Sequence, residues 1–257
     1  MKKTIIFLGL LGIITLIFFI SPTDNYTNNG EMIIGTYDIT NGDYDNLSKT
    51  KFTEDNEDQL KLISEYVKDI LPKDNFLMLD SLVMMSDGQG NNLAYVYQKG
   101  NKWVLSIDYA DALDSKDNLD SKFISTLSHE ITHLITLNED QMDNNSSDDT
   151  YETSEGKLKK DSYLNQFYEL FWKDKVLNIN ESMGDAERIR YFEEHMNMYI
   201  NDYATTSPEE DISESFATFV IYEKPKGNEI YKKKILFFYD YPELVNIRSE
   251  IRKNSGI

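Results

Sequence analysis

The chain has 257 residues, a formal net charge of −19, 40% hydrophobic and 28% charged residues, and no cysteine. That length and apolar content suffice for one sizeable domain or two small lobes sharing a cleft, while the acidity argues against nucleic acid as a partner, because its phosphates would be repelled. The missing cysteine excludes disulfides, thiolate ligands, a thiol nucleophile and a lipoprotein anchor, so a bound metal must rest on His, Asp and Glu.

Met1-Lys2-Lys3 precedes an apolar run from Thr4 to Ile20, and polar sequence begins at Ser21. A short basic region followed by an apolar one has the layout of a secretory signal. No small-x-small cleavage site follows, and the run is at the lower limit for spanning a bilayer. Residues 1–21 are therefore expected to be a signal peptide or an uncleaved membrane anchor. Either way Lys2 and Lys3 stay in the cytoplasm and the rest lies outside, so an extracellular protein, secreted or anchored to the outer face of the membrane, is expected. Residues 22–46, rich in Asn, Asp, Gly and Thr, read as a linker.

From residue 47 to 257 a single α+β domain is expected. Asp55 to Ile70 has helical periodicity, with Leu60, Ile63, Tyr66, Val67 and Ile70 on one face and Pro72 beyond its end. Phe76–Met85, Leu93–Gln98 and Trp103–Tyr109 read as strands separated by turn signals at Asp87-Gly88 and Gly100-Asn101, which predicts a small antiparallel sheet. Asn118 to Leu137 reads as a helix and Glu139 to Gly156 as an exposed acidic loop. Helical pattern then dominates over Tyr163–Trp172, Gly184–Tyr199, Pro208–Tyr222, Glu229–Phe238 and Pro242–Arg252. A sheet lobe of about 47–138 and a helical lobe of about 157–257 result.

The chemistry concentrates in His129-Glu130-Ile131-Thr132-His133, an HExxH motif inside the 118–137 helix. Residues at i and i+4 lie one above the other on a helix face. Two imidazoles so placed can bind one tetrahedral Zn2+, and the adjoining Glu130 can serve as general base toward a zinc-bound water. A catalytic zinc needs a third protein ligand, and three residues compete for the role. Glu214 lies on a well-signalled helix: Ser207 is a good N-cap, Pro208 suits the first turn, and Glu210 completes the pattern of a capping box. Glu139 stands where a compact HxxxHxxGxxH site puts its last ligand, but the glycine position there is Thr136. His195 is the third, as ligand or as oxyanion donor.

Ser128 to Leu137 resembles the active-site helix of the gluzincin metallopeptidases, the thermolysin-like HExxH class. Glu214-Ser215-Phe216-Ala217-Thr218-Phe219 is similar to the helix that delivers the third ligand in the anthrax lethal factor catalytic domain and in uncharacterised secreted zinc peptidases of Gram-positive bacteria. The segment from Phe237 through Tyr241-Pro242 to Arg252 looks like the tail of the latter. The resemblance implies a zincin-like fold with a small sheet on the HExxH helix and zinc on His129, His133 and Glu214. It also implies Glu130 as base and an edge strand at Trp103–Tyr109 that pairs with an extended peptide. In lethal factor a tyrosine precedes the third ligand by seven residues; counted from Glu214, that position is Ser207. Tyr203 is the nearest substitute as oxyanion donor, with Tyr199 and His195 as rivals, and Asp211 is placed to orient a zinc-bound histidine. The function so implied is extracellular hydrolysis of peptide bonds in a peptide or protein substrate. The alternative is a non-catalytic zinc-stabilised binding or toxin module.

Overall fold

The computed structural model describes residues 31–257 except 51–52, 54–55, 89, 91, 117, 121 and 177–182. The expected signal or anchor lies outside the described residues. Among the described residues, no helix is long and apolar enough to cross a membrane.

The architecture is mixed α+β: the described residues form a five-stranded sheet and eight α-helices. Strand β1 (Met32–Thr40) and β2 (Asp43–Lys49) form an antiparallel hairpin. This corrects the linker expected over residues 22–46 from residue 32 onward; residues 22–30 lie outside the described residues. The turn is Asn41-Gly42, with φ of 56° and 80°. Two left-handed residues of this kind give the twist that a two-residue hairpin needs. Ile34 and Ile39 are buried and anchor the hairpin to the core.

Beyond it come β3 (Leu79–Ser86), β4 (Ala94–Lys99) and β5 (Lys102–Asp108), and the sheet order is β2-β1-β3-β5-β4. β5 runs parallel to β3 and antiparallel to β4, so the sheet is mixed and not antiparallel throughout. The reason is the tight β4–β5 hairpin, which carries β5 back between β3 and β4. As a consequence Trp103–Tyr109 is not an edge. The edge strands are β2 and β4, and β4 is the one that lines the cleft.

Helix α1 (Glu57–Ile70) buries Leu60, Ile63, Val67 and Ile70, as its periodicity predicts. They pack into one contiguous core with Ile34, Leu82, Met84, Leu105 and Ile107 of the sheet. Alternation along the strands puts Ile33, Val83 and Val104 on the opposite face, where Tyr97 covers them. The same core continues through Phe167, Phe216, Phe238 and Ile251, so the two expected lobes share one interior.

Helix α2 (Lys73–Leu77) is short. Helix α3 (Phe123–Leu137) is buried on almost every side. Its polar row is compatible with that because each hydroxyl is satisfied within the helix. Ser128, Thr132 and Thr136 donate to the carbonyls of Ile124, Ser128 and Thr132 at 2.7, 2.8 and 2.7 Å. Helices α4 (Tyr163–Phe171), α5 (Asp185–Glu194), α6 (Pro208–Ile221), α7 (Ile230–Phe237) and α8 (Pro242–Ser255) complete the chain.

Helix α6 packs on α3 and is held in rotation by a buried ion pair. Asp211 and Lys234 of α7 are both fully buried and bonded to each other. Trp172 Nε1 also donates to Asp211 Oδ2 at 2.7 Å, and the Lys234 ammonium sits 4.1 Å from the centroid of the Tyr199 ring. Asp211 therefore points away from the histidines and does not orient either of them. Burial raises its carboxyl to about 6 in spite of the lysine beside it. Removing one partner of such a pair leaves an uncompensated buried charge. Lys234→Met is expected to cost about 3–5 kcal/mol, read from urea unfolding midpoints. A loss below 1 kcal/mol would show that the pair does not hold α6.

Candidate metal centre

His129, Glu130 and His133 occupy the middle of α3, facing α6. The two imidazole Nε2 atoms are 3.2 Å apart. Glu210 Oε2, one turn into α6, lies 3.0 Å from His129 Nε2 and 3.7 Å from His133 Nε2. Among the described residues these three side chains bring ligand atoms within 4.8 Å of one another. A tetrahedral zinc with bonds of about 2.0–2.1 Å separates its ligand atoms by about 3.3 Å, and the three observed separations bracket that value. Glu210 Oε2 is buried and makes no hydrogen bond of acceptable geometry despite its near nitrogens. Two imidazole nitrogens and a carboxylate oxygen converging at this spacing fit a cation.

Glu214, the expected third ligand, does not join this cluster. One turn beyond Glu210 on the same face, its Oε1 lies 2.8 Å from the other ring nitrogen of His129, Nδ1. The approach is oblique and lacks hydrogen-bond geometry. Asn201 Nδ2 donates to Glu214 Oε2 at 2.7 Å, and Asn201 Oδ1 accepts from the backbone of Ala204 at 2.9 Å. Asn201 thus ties Glu214 to the turn that carries Tyr203. Nothing in its sequence surroundings marks it. Glu210, read as a capping residue, does give its backbone N–H to Ser207 Oγ at 3.3 Å, but its carboxylate turns inward to the histidines.

The other candidates separate cleanly. Tyr203 lines the cleft, its ring centroid 5.8 Å from that of His129. Burial, then the carboxylates of Glu210, Glu130 and Glu214, hold its phenol above the ordinary range, so it remains a proton donor. His195 ends α5, stacked on Tyr191 with its Nδ1 2.8 Å from the Tyr191 carbonyl, and is absent from the cleft lining. Tyr199 is 1% exposed beneath Lys234. Glu139 is exposed in a surface turn. The structure therefore gives neither His195, Tyr199 nor Glu139 a place at the cluster.

A second acidic group, Asp87, Asp108 and Asp111, lies at the end of β5. The Asp108 carboxylate there is taken up by backbone N–H groups of Asp87 at 2.8 Å and Ala110 at 2.9 Å, which makes it a loop clamp.

The electrostatics of the cluster follow from its burial. Burial presses the His129 imidazole downward, but Glu210, Glu214 and Glu130 overcome it and push it up to about 10. His133 moves upward too, because Glu210 again outweighs burial. Burial would raise Glu210, yet the two imidazoles hold it well below the usual carboxylate range. Glu130 is raised, by burial first, against the pull of the histidines.

A metal ion must displace the imidazole protons. Its affinity should thus keep rising, about tenfold per pH unit for each proton displaced, from pH 6 to pH 9. Chelator competition at several pH values reads this directly. A plateau above pH 7 would mean that the imidazoles titrate normally and that the carboxylates are not paired with them.

A cleft runs past the cluster along β4. On the N-terminal side of α3 it is a chamber of about 860 Å³ walled by Leu93, Lys122, Ser125, Thr126, Ile221 and Tyr222. On the other side it narrows to about 230 Å³ between Val96, Trp103, Leu137, Glu155 and Glu209. His129, Glu130 and Tyr203 border both chambers. No protein-family model, curated protein or solved structure matches the chain.

Proposed function

We propose that the chain is a zinc-dependent hydrolase of peptide bonds, with His129, His133 and Glu210 as metal ligands and Glu130 as general base. The observation that carries this reading is the convergence of two imidazole nitrogens and one unbonded carboxylate oxygen at tetrahedral ligand spacing, beside a buried glutamate in an open cleft. Held there, zinc would supply Lewis acidity toward water and a carbonyl oxygen.

The protein's own groups have distinct tasks. Glu130 takes a proton from water and returns it to the departing amine. Burial raises its carboxyl above the ordinary carboxylate range, the direction that strengthens it as a base. Tyr203, kept protonated, donates toward the charge that develops on the carbonyl oxygen. Glu214, fixed by Asn201 with its Oε1 2.8 Å from Nδ1 of His129, is placed to accept from Nδ1–H and so to restrain the ring once zinc is held at Nε2. The open side of β4 lies along the cleft and offers backbone groups to an extended peptide.

Choosing Glu210 fits the tyrosine spacing of the resemblance, although the Glu214-Ser215-Phe216-Ala217 pattern itself counts the ligand from Glu214. Counted from Glu210, the tyrosine seven residues earlier is Tyr203, which stands beside His129. The basic-then-apolar N-terminus supports action outside the cell, by a secreted or membrane-anchored protein. The test is turnover of peptides by the zinc-loaded protein beside its Glu130→Gln variant, with zinc measured in both.

A further inference from the structure

The two chambers of the cleft differ in charge once the metal centre has claimed its groups. His129, His133 and Glu210 hold the metal, Glu214 restrains His129, and Glu130 is the base. The larger chamber then keeps one charged side chain, Lys122. The smaller chamber keeps two, Glu155 and Glu209, and no lysine or arginine lines it.

Both glutamates are held in place without a cation. Glu209 is 8% exposed in the first turn of α6. Its carboxylate meets only neutral donors: the Tyr151 hydroxyl at 3.4 Å, the Ser207 hydroxyl and its own backbone. Glu155 sits on a turn closed by the Thr153 N–H to Gly156 carbonyl bond at 2.9 Å. Asn144 braces that turn by accepting from Lys157 N at 2.8 Å. It packs so closely that a Cβ on Gly156, whose φ is +150°, would come within 2.5 Å of its Oδ1. None of the ion pairs among the described residues includes Glu155 or Glu209. A buried carboxylate facing a cavity with no cation is costly, and a cation entering that cavity relieves the cost.

The rest of the chamber suits a long cationic side chain. Val96 and Leu137 can cover an aliphatic stem. Trp103, 3% exposed in the floor, presents an aromatic surface to a charged end group.

We infer that the small chamber is a specificity subsite for a lysine or arginine side chain of the substrate, close to the bond that is cut, with Glu155 and Glu209 as its anionic walls. This rests on the peptidase reading and adds to it a substrate class: polypeptides with a basic residue at one fixed position beside the scissile bond.

The experiment uses the zinc-loaded protein and peptides of one sequence in which each residue flanking the bond is Lys, Arg, Ala or Glu in turn. The parent is expected to favour Lys or Arg at one position, by on the order of 10-fold to 100-fold in kcat/KM over Ala. In Glu155→Lys that ratio should fall to unity or invert toward Glu, and Glu155→Gln should give an intermediate ratio. The same order should appear in peptide affinity measured by fluorescence anisotropy with Glu130→Gln, which binds without turnover. Cleavage with no basic preference, or a preference that Glu155→Lys leaves intact, would overturn the subsite and leave the peptidase reading standing. Zinc bound with no peptide cleaved would overturn the peptidase reading, and the subsite with it.

Discussion

Glu130→Gln will reduce kcat for peptide hydrolysis by about 10²–10⁴-fold and leave the zinc content unchanged. The magnitude is that of a positioned general base. Glutamine keeps the shape and hydrogen-bonding reach of the side chain and loses only the ability to take up a proton. Glu130 is 6% exposed and borders both chambers, so an isosteric change there should disturb neither fold nor ligands. The result separates the leading account from its rival. A zinc-stabilised binding module has no use for a base, and its biological effect would survive the substitution. Residual activity above a tenth of the parent's would remove Glu130 from the reaction.

Glu210→Ala and Glu214→Ala will have unequal effects on zinc, although the two residues are one helical turn apart. Losing a partner that orients a metal-bound histidine costs about 10–100-fold in metal affinity, and that is the expectation for Glu214. Losing a ligand leaves two imidazoles alone, and Glu210→Ala should weaken binding by well over that range. The geometry decides the order: Glu210 Oε2 stands 3.0 and 3.7 Å from the two Nε2 atoms, whereas Glu214 Oε1 stands 2.8 Å from Nδ1 of His129 alone. Equilibrium competition with a zinc-sensitive dye measures both variants. A larger loss in Glu214→Ala would reverse the assignment.

The sequence carried the two central helices well, because both have strong local signals. The apolar stripe of α3 has helical spacing, and Ser207-Pro208 marks the start of α6. The HExxH pattern needs only the i, i+4 rule to bring its histidines together. The third ligand proposed from the structure, Glu210, was harder to read for a physical reason. Glu210 and Glu214 are themselves four apart and share a face, so periodicity favours neither. Ser207-x-x-Glu210 also matches a capping box, a local role that hid a tertiary one. Only the packing of α6 on α3 chooses between them.

Long-range pairing was the other blind spot. The β1–β2 hairpin carries Asn41-Gly42, a strong turn signal, but Asn, Asp, Gly and Thr around it read as linker. The parallel β3–β5 pairing leaves no local trace at all, since the two strands meet only after the β4 hairpin has folded back. That misplaced the edge strand from β4 to β5. Asn201, thirteen residues from the Glu214 it restrains, is equally invisible to any pattern of neighbours.

The most direct test is an anomalous-difference map at the zinc edge from crystals of the zinc-loaded protein. A single peak about 2.0–2.1 Å from His129 Nε2, His133 Nε2 and Glu210 Oε2, with Glu214 against Nδ1 and outside the coordination sphere, is the predicted result. A peak bound by Glu214 in place of Glu210, or no peak between the two histidines, would contradict the account.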